Sequence, residues 1–491
     1  MRPPLHIPTI PTSRGEAWTA AGEMLSGLMT PTLRLGVTGL SRSGKTVLIT
    51  ALVRALISGG RLPFLAADAE GRIESASLEP HPDHGVPRFD YEANIAALAA
   101  DPPDWPKGTR RISQLRLNVK FRSDSYLRRQ LGARFLNIDI VDYPGEWLTD
   151  LAMLGQDYAA WSREALALSR EPRRAAAAND WLAFVAALDP TARQNEQTAL
   201  DGAKLFTRYL NAARDRETVS TLGPGRFIMP GDLEGSPLLT FFPLPITDGE
   251  TPKRGSLAAM LAARYDSYRQ KVVQPFFKEH FKRLDRQIVL VDVLSALNGG
   301  PEAVADLERA LAGVLAVFRP GANAWYAPFI GQKRVDKLLF AATKADHLHH
   351  SSHDRLEAIL RLMTNRAIER AETAGAGVEV MAVSALRATR EAEAREGGEV
   401  LPCIVGVPLP GERLDAKVFD GREEVALFPG DLPVHPADAL AQAKSGQVVL
   451  PTFLRFRPRR VLLPGPGGES PPAPHIRLDR ALEYLIGDWL L

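Results

Sequence analysis

"GVTGLSRSGKT", Gly36–Thr46, decides how the rest of the chain is read. An apolar run, LRLGV (33–37), leads into it, and VLITALVRALIS (47–58), apolar at helical period, leads out. Within it, GLSRSGKT (39–46) fits the pattern G-x-x-x-x-G-K-[ST]. Each residue type has a physical task. Gly39 and Gly44 let the backbone turn, so that N–H groups from Ser41, Arg42, Ser43, Gly44, Lys45, Thr46 and Val47 can face one anion. The N-terminus of the following helix adds partial positive charge at the same point. Lys45 is spaced to reach β- and γ-phosphates, and Thr46 to offer its hydroxyl to Mg²⁺.

Bulk properties set the frame. A chain of 491 residues exceeds what one core sustains, so more than one structural unit is expected. The formal charge of +2 gives no reason to expect a nucleic-acid partner. The lone Cys403 rules out an internal disulfide and a CxxC pair, which fits a reducing, cytoplasmic compartment. The N-terminal stretch has no apolar signal region, and no run of about 18 apolar residues occurs.

Working outward, residues 1–29 read as a segment with a short amphipathic helix at 14–29, expected to pack on the protein's own body. Residues 30–146 and 285–390 read as one discontinuous core. Its strands are expected at 33–37, 112–122, 134–142, 287–293, 337–343 and 378–384, with helices between the later ones. The stretch from 59 to about 110 reads as a long connection, and 112–122 with 134–142 as a hairpin. Residues 147–284 read as a mainly helical insertion, punctuated by LGPGRFIMPGDLEGSP (222–237). Residues 391–491 read as β-rich, with 464–474 a linker and a final amphipathic helix. The fold class expected is α/β: a G-domain-like P-loop NTPase with a mostly parallel sheet, helices on both faces, a helical insertion and a β-rich C-terminal part.

Two further motifs follow in order. IDIVDYPGEW ends a strand in Asp142, where a carboxylate would hold Mg²⁺, and places Gly145 to offer an N–H to a γ-phosphate. Alone, D-x-x-G is an ordinary strand-to-turn signal; after a P-loop it gains meaning. FAATKADHL puts Thr343, Lys344, Ala345 and Asp346 just past a strand, matching [NT]-K-x-D. Asp346 can accept two hydrogen bonds from a guanine edge, whereas adenine has no such donor pair and would leave the carboxylate unpaired. Lys344 can lie along the base, with His347 beside it. The alternative is a turn in which Asp346 caps a helix. Ser384, Ala385 and Leu386, past a later strand, fit a loop donating a backbone N–H to guanine O6.

Together "GLSRSGKT", "DYPG", "TKAD" and "SAL" stand in the order of a G domain. With "DIVDYPGEWL" and "FAATKADHL", the combination resembles the YcjX-like family of bacterial P-loop proteins over most of the chain. The resemblance implies a nucleotide-binding, stress-associated cytoplasmic protein. Members are described as ATPases or GTPases, and the family is linked with a membrane-protein partner, hence a peripheral place at the inner membrane. The expected function is Mg²⁺-dependent conversion of GTP to GDP and phosphate, with order–disorder of loops near 72–110 and 145–150 as the switch. Two alternatives stay open: an ATPase on the same loop, and a nucleotide-stabilised interaction protein with negligible turnover.

Glu146 stands where small G proteins often carry a water-positioning Gln; an ionised carboxylate is repelled by a γ-phosphate, and it could act as a base or simply point away, so slow hydrolysis is expected. Thr109 is the candidate second threonine for Mg²⁺, and Arg110 or Arg111 a candidate cis arginine, against the simpler reading of solvated loop residues. His347, His349, His350 and His353 form a run in which a metal pair is conceivable at His349 and His353; solvated or capping histidines are the preferred reading. LRFRPRR (454–460) reads as a charged strand face or a partner patch, with nucleic acid a minor option.

Overall fold

The computed structural model describes residues 30–40, 42–59, 61–80, 83, 85–108, 111–125, 130, 132–216, 219, 221–246, 251–279, 283–315, 335–373, 375–396, 399–447, 449, 453–463 and 471–491. The N-terminal helix, Ser41, Thr109, Arg110 and most of the 464–474 linker lie outside the described residues.

Among them, seven strands form one sheet: β1 (Thr32–Gly39), β2 (Ile73–Glu79), β3 (Ser113–Phe121), β4 (Arg134–Asp142), β5 (Arg286–Val291), β6 (Lys337–Ala342) and β7 (Gly377–Ala382). Their order is β2-β3-β4-β1-β5-β6-β7. From β4 to β7 neighbours run parallel, while β3 pairs antiparallel with both β4 and β2. Strand period sorts the apolar residues between two faces. Ile288 and Leu290 join Leu33, Leu35, the helix Lys45–Ile57 and the helix Leu478–Ile486 on one side. Val289 and Val291 join the helices Pro301–Leu315, His353–Thr373 and Pro436–Lys444 on the other. Burial on both faces explains why β5 and β6 read as unbroken apolar runs.

Three local readings are corrected. The connection after residue 59 holds β2 and the helix Tyr91–Ala99. β2 is a half-exposed edge strand, IESASLE, without the apolar signal of an inner one. Residues 145–150 are not a loop. They form the helix Gly145–Leu148 and a 3₁₀ turn from Thr149, buried because Trp147, Leu148 and Leu151 enter an apolar cluster. Residues 454–460 form no strand; Phe456 makes only an isolated bridge to Pro408.

That cluster is the core of the helical insertion. The helices Tyr158–Ser169, Pro172–Ala186, Glu196–Arg216 and Leu257–Tyr268 gather aromatic rings inward. Trp181 stacks on Tyr209 at 5.3 Å, and Trp161 on Tyr265 at 5.0 Å. The core is continuous with the segment after β4, since Phe276 meets both Tyr143 and Trp147 edge-on at 5.7 and 6.0 Å. A short π-helical turn, Arg269–Val273, leads to that phenylalanine. Past β7, the strands β8 (Arg390–Glu396) and β9 (Glu399–Gly406) pair antiparallel, with Val425–Leu427 on the far side of β9.

Candidate nucleotide site

β1 lies between β4 and β5, where the strand order reverses. In open parallel sheets, ligands bind beyond the carboxyl ends of strands at that point. A cleft of about 1620 Å³ opens there. Arg42, Ser43, Gly44, Lys45, Thr46, Val47 and Glu146 line one end. Lys344, Asp346, His347, Ser384, Ala385 and Leu386 line the other. Gly39, Asp142 and Gly145 are buried behind that lining.

The phosphate end is built by backbone conformation. Arg42 has φ 63° and Gly44 φ 92°, both left-handed, so successive N–H groups are turned toward one point. Gly44 is the N-cap of the helix, whose first turn carries no acidic residue, leaving its dipole for an anion. The Ser43 hydroxyl is buried with no hydrogen-bond partner among the described residues. The Lys45 ammonium rests on the carbonyls of Gly39 (2.8 Å) and Leu40 (3.1 Å). Burial pulls its pKa below the ordinary lysine value, while Asp142 and Glu146 push it back up. A cationic arm, a helix N-terminus and a buried hydroxyl thus stand together at this end of the cleft, the groups that a polyphosphate would need. The register Val37↔Asp142 sets the Asp142 carboxylate level with the end of β1. Thr46 and Asp142 are hard oxygen donors, both buried, the type that Mg²⁺ takes.

The base end is assembled from separated segments. Lys344 is left-handed, φ 61°, and its ammonium pairs with Asp292, which also caps the helix Val293–Asn298 through Ser295. Asp346 is buried; its Oδ2 accepts from the Ala388 N–H at 2.7 Å. Thr389 donates to the Asp346 carbonyl. Ser384 holds its own loop, donating Oγ–H to the Leu386 carbonyl at 3.1 Å. Burial lowers the His347 pKa, and its ring meets Phe456 edge-on at 5.3 Å. His353 donates its Nε2–H to the Ala345 carbonyl at 2.9 Å, so it serves the loop rather than a metal.

Sequence reading missed several wall residues. Trp105 donates its indole N–H to the Phe456 carbonyl at 2.8 Å, and both line the cleft beside the base loops. Nothing in the local pattern marks a tryptophan 351 positions from its partner. Two of the four arginines of 454–460 are engaged in ion pairs. Arg455 pairs with Glu412 at 2.5 Å and Arg460 with Asp101 at 3.1 Å. The insertion adds Arg214, Arg226 and Lys271 to the cleft. Arg226 lies 3.2 Å over the Trp147 ring and pairs with Asp232 at 2.7 Å. Arg111 lines the cleft as well.

The insertion grips the segment after β4 closely. Thr149 donates to the Leu222 carbonyl at 3.0 Å, and Trp147 Nε1–H to the Met229 carbonyl at 3.0 Å. A Cβ on Gly225 would stand 2.1 Å from the Glu146 carbonyl oxygen, so only glycine fits. Buried Asp150 accepts from the Gly225 N–H (2.6 Å) and the Tyr268 hydroxyl (2.5 Å), and burial pushes its pKa up to about 6.

A family model described as the YcjX-like family, DUF463, matches residues 33–490. A protein named Ras-like GTPase YcjX, from Escherichia coli (strain K12), is 40% identical over 469 residues, covering 93% of this chain and 96% of that protein. A protein of the same name from Shewanella oneidensis (strain MR-1) is 34% identical over 480 residues, covering 93% and 94%. No helix among the described residues is long and apolar enough to cross a membrane.

Proposed function

The chain belongs to the YcjX-like family, and from that premise we propose that it is a Mg²⁺-dependent GTPase, cycling between GTP- and GDP-bound forms. The observation that carries the reading is the two-ended cleft: Lys45, Thr46 and Glu146 at one end and Asp346 with Ser384–Leu386 at the other. The nest of N–H groups and the helix N-terminus would hold the β- and γ-phosphates. Lys45 would leave the Gly39 and Leu40 carbonyls for the phosphate oxygens, where its charge offsets the charge developing in the transition state. Thr46 and Asp142 would hold Mg²⁺, which supplies further charge neutralisation when bound. Water attacks the γ-phosphorus in line as the bond to the β-phosphate oxygen breaks, giving GDP and phosphate. Glu146 lines the same space and would repel the γ-phosphate while ionised, which would make turnover slow. The wider proposal, a switch in a bacterial stress or envelope response working from the cytoplasm with a membrane-protein partner, rests on the family resemblance alone.

One observation favours a second reading. Asp346 already accepts from the Ala388 N–H, as a purely structural carboxylate would. Calorimetric titration with GDP, ADP and the non-hydrolysable GTP and ATP analogues, with Mg²⁺, separates the two. Guanine preference of about 100-fold, some 2.7 kcal/mol, that disappears in Asp346→Asn supports base reading. Equal affinity for adenine makes the protein an ATPase or a nucleotide-stabilised interaction protein, and turnover decides between those.

A further inference from the structure

The four histidines after the base loop part company. His347 is buried against Phe456, and His353 is engaged by the Ala345 carbonyl. His349 and His350 turn instead to a residue 41 positions beyond His350, Glu391 of β8. His350 Nδ1 lies 2.7 Å and His349 Nε2 3.7 Å from the same oxygen, Glu391 Oε2. One ligand-type atom from each residue lies within 4.8 Å of the others.

Two of the remaining polar atoms, one on His349 and one on Glu391, are turned to supporting partners. His349 Nδ1 is 3.0 Å from Ser351 Oγ, which fixes the ring with Nε2 facing the cluster. The other Glu391 oxygen, Oε1, accepts from Arg387 at 3.4 Å, leaving Oε2 for the histidines. Ligating histidines in metal sites are oriented in this way through their second nitrogen. We propose that His349, His350 and Glu391 form a binding site for a divalent transition metal of the zinc class. Two imidazole nitrogens with one carboxylate oxygen suit zinc, cobalt or nickel and disfavour the all-oxygen cations Mg²⁺ and Ca²⁺. Bonds of ~2.0–2.1 Å to a tetrahedral ion set ligand atoms about 3.4 Å apart, between the two separations present. His350 is exposed, so the fourth position opens to water or an exchanging ligand.

The site would brace the base loop. His349 is three residues past Asp346, and Glu391 three past Ala388, whose N–H holds the Asp346 carboxylate. A metal bridging these two segments would fix that hydrogen bond and tighten guanine binding. This last consequence alone rests on the GTPase reading.

The test uses the full chain, free of any polyhistidine tag and stripped with chelator. It is titrated with Co²⁺ by visible absorption and Zn²⁺ by calorimetry, without nucleotide. One equivalent is expected, with the intense d–d bands of low-coordinate cobalt; octahedral cobalt at the Thr46–Asp142 oxygens absorbs weakly. His349→Ala, His350→Ala and Glu391→Ala should each weaken binding at least ten-fold, the double histidine variant should abolish it, and His435→Ala should leave it intact. Absent binding, or unchanged affinity in a double variant whose circular dichroism and thermal melt match the parent, overturns the site. Fluorescent GDP affinity with and without zinc then tests the brace. A several-fold gain supports it, and no change overturns the brace while the site stands. No guanine binding at all would defeat the GTPase reading and leave the metal result readable.

Discussion

The two ends of the cleft are built on different plans. At the phosphate end one continuous segment, Gly39 to the helix Lys45–Ile57, supplies the turn, the cation and the helix terminus, and its left-handed residues set the geometry themselves. At the base end, residues from around 105, 346, 386 and 456 meet only because the sheet and the C-terminal part bring them together. The lesson is that a backbone device can be carried by a short string, whereas a side-chain device needs the whole fold. A third contributor, the insertion, touches the phosphate end through Glu146 and Trp147.

The largest break in this comparison is Lys45→Ala. Removing the P-loop cation should lower kcat by about 10²–10³-fold, or some 2.7–4 kcal/mol, in a phosphate-release assay. A smaller loss would mean that the backbone nest carries the phosphate end unaided. Next is the grip of the insertion. Asp150 is held near pKa 6 by burial, above the roughly 3.9 of a free aspartate. A raised folded-state value means the folded protein binds more protons, so this stability is present below about pH 4 and lost as pH rises through about 6. Two units are worth about 3 kcal/mol. In urea titrations from pH 4 to 7, the parent should lose about that much relative to Asp150→Asn, which keeps an acceptor for the Gly225 N–H. Parallel curves would place the titration elsewhere.

Gly225→Ala drives a methyl into the Glu146 carbonyl and should cost about 1–3 kcal/mol of stability, read as a lower melting temperature. An unchanged melt would mean the contact is slack. Smallest is Arg226→Ala. If the insertion lends its cation to the γ-phosphate, kcat should fall about ten-fold, near 1.4 kcal/mol, at unchanged GDP affinity. A matching loss of GDP affinity would assign Arg226 to holding the site together.

The same contrast explains what could be read in advance. The central strands were legible because burial on both faces leaves their middles apolar, as in IVLV. The motif loops were legible because their function fixes residue type at fixed spacing. β2 was not, since an edge strand with IESASLE carries mostly polar residues. The helix after Pro144 was not, since its apolar side chains are explained only by the insertion core that they join. Trp105, Phe456, Arg226 and Glu391 were out of reach for one reason: each acts on a partner dozens to hundreds of positions away.

The helix Leu478–Ile486 has a consequence for how the protein is made. Leu478, Leu482 and Leu485 cover the same face as Leu33 and Leu35 of the first strand. Contacts so distant along the chain form late. At ~5–20 residues per second, the ribosome needs on the order of half a minute to travel from one to the other. Through that interval the P-loop strand and its helix emerge without their cover, and that greasy face stays in water or on a chaperone until residue 486 clears the exit tunnel. The P-loop strand is therefore made long before the helix that covers it.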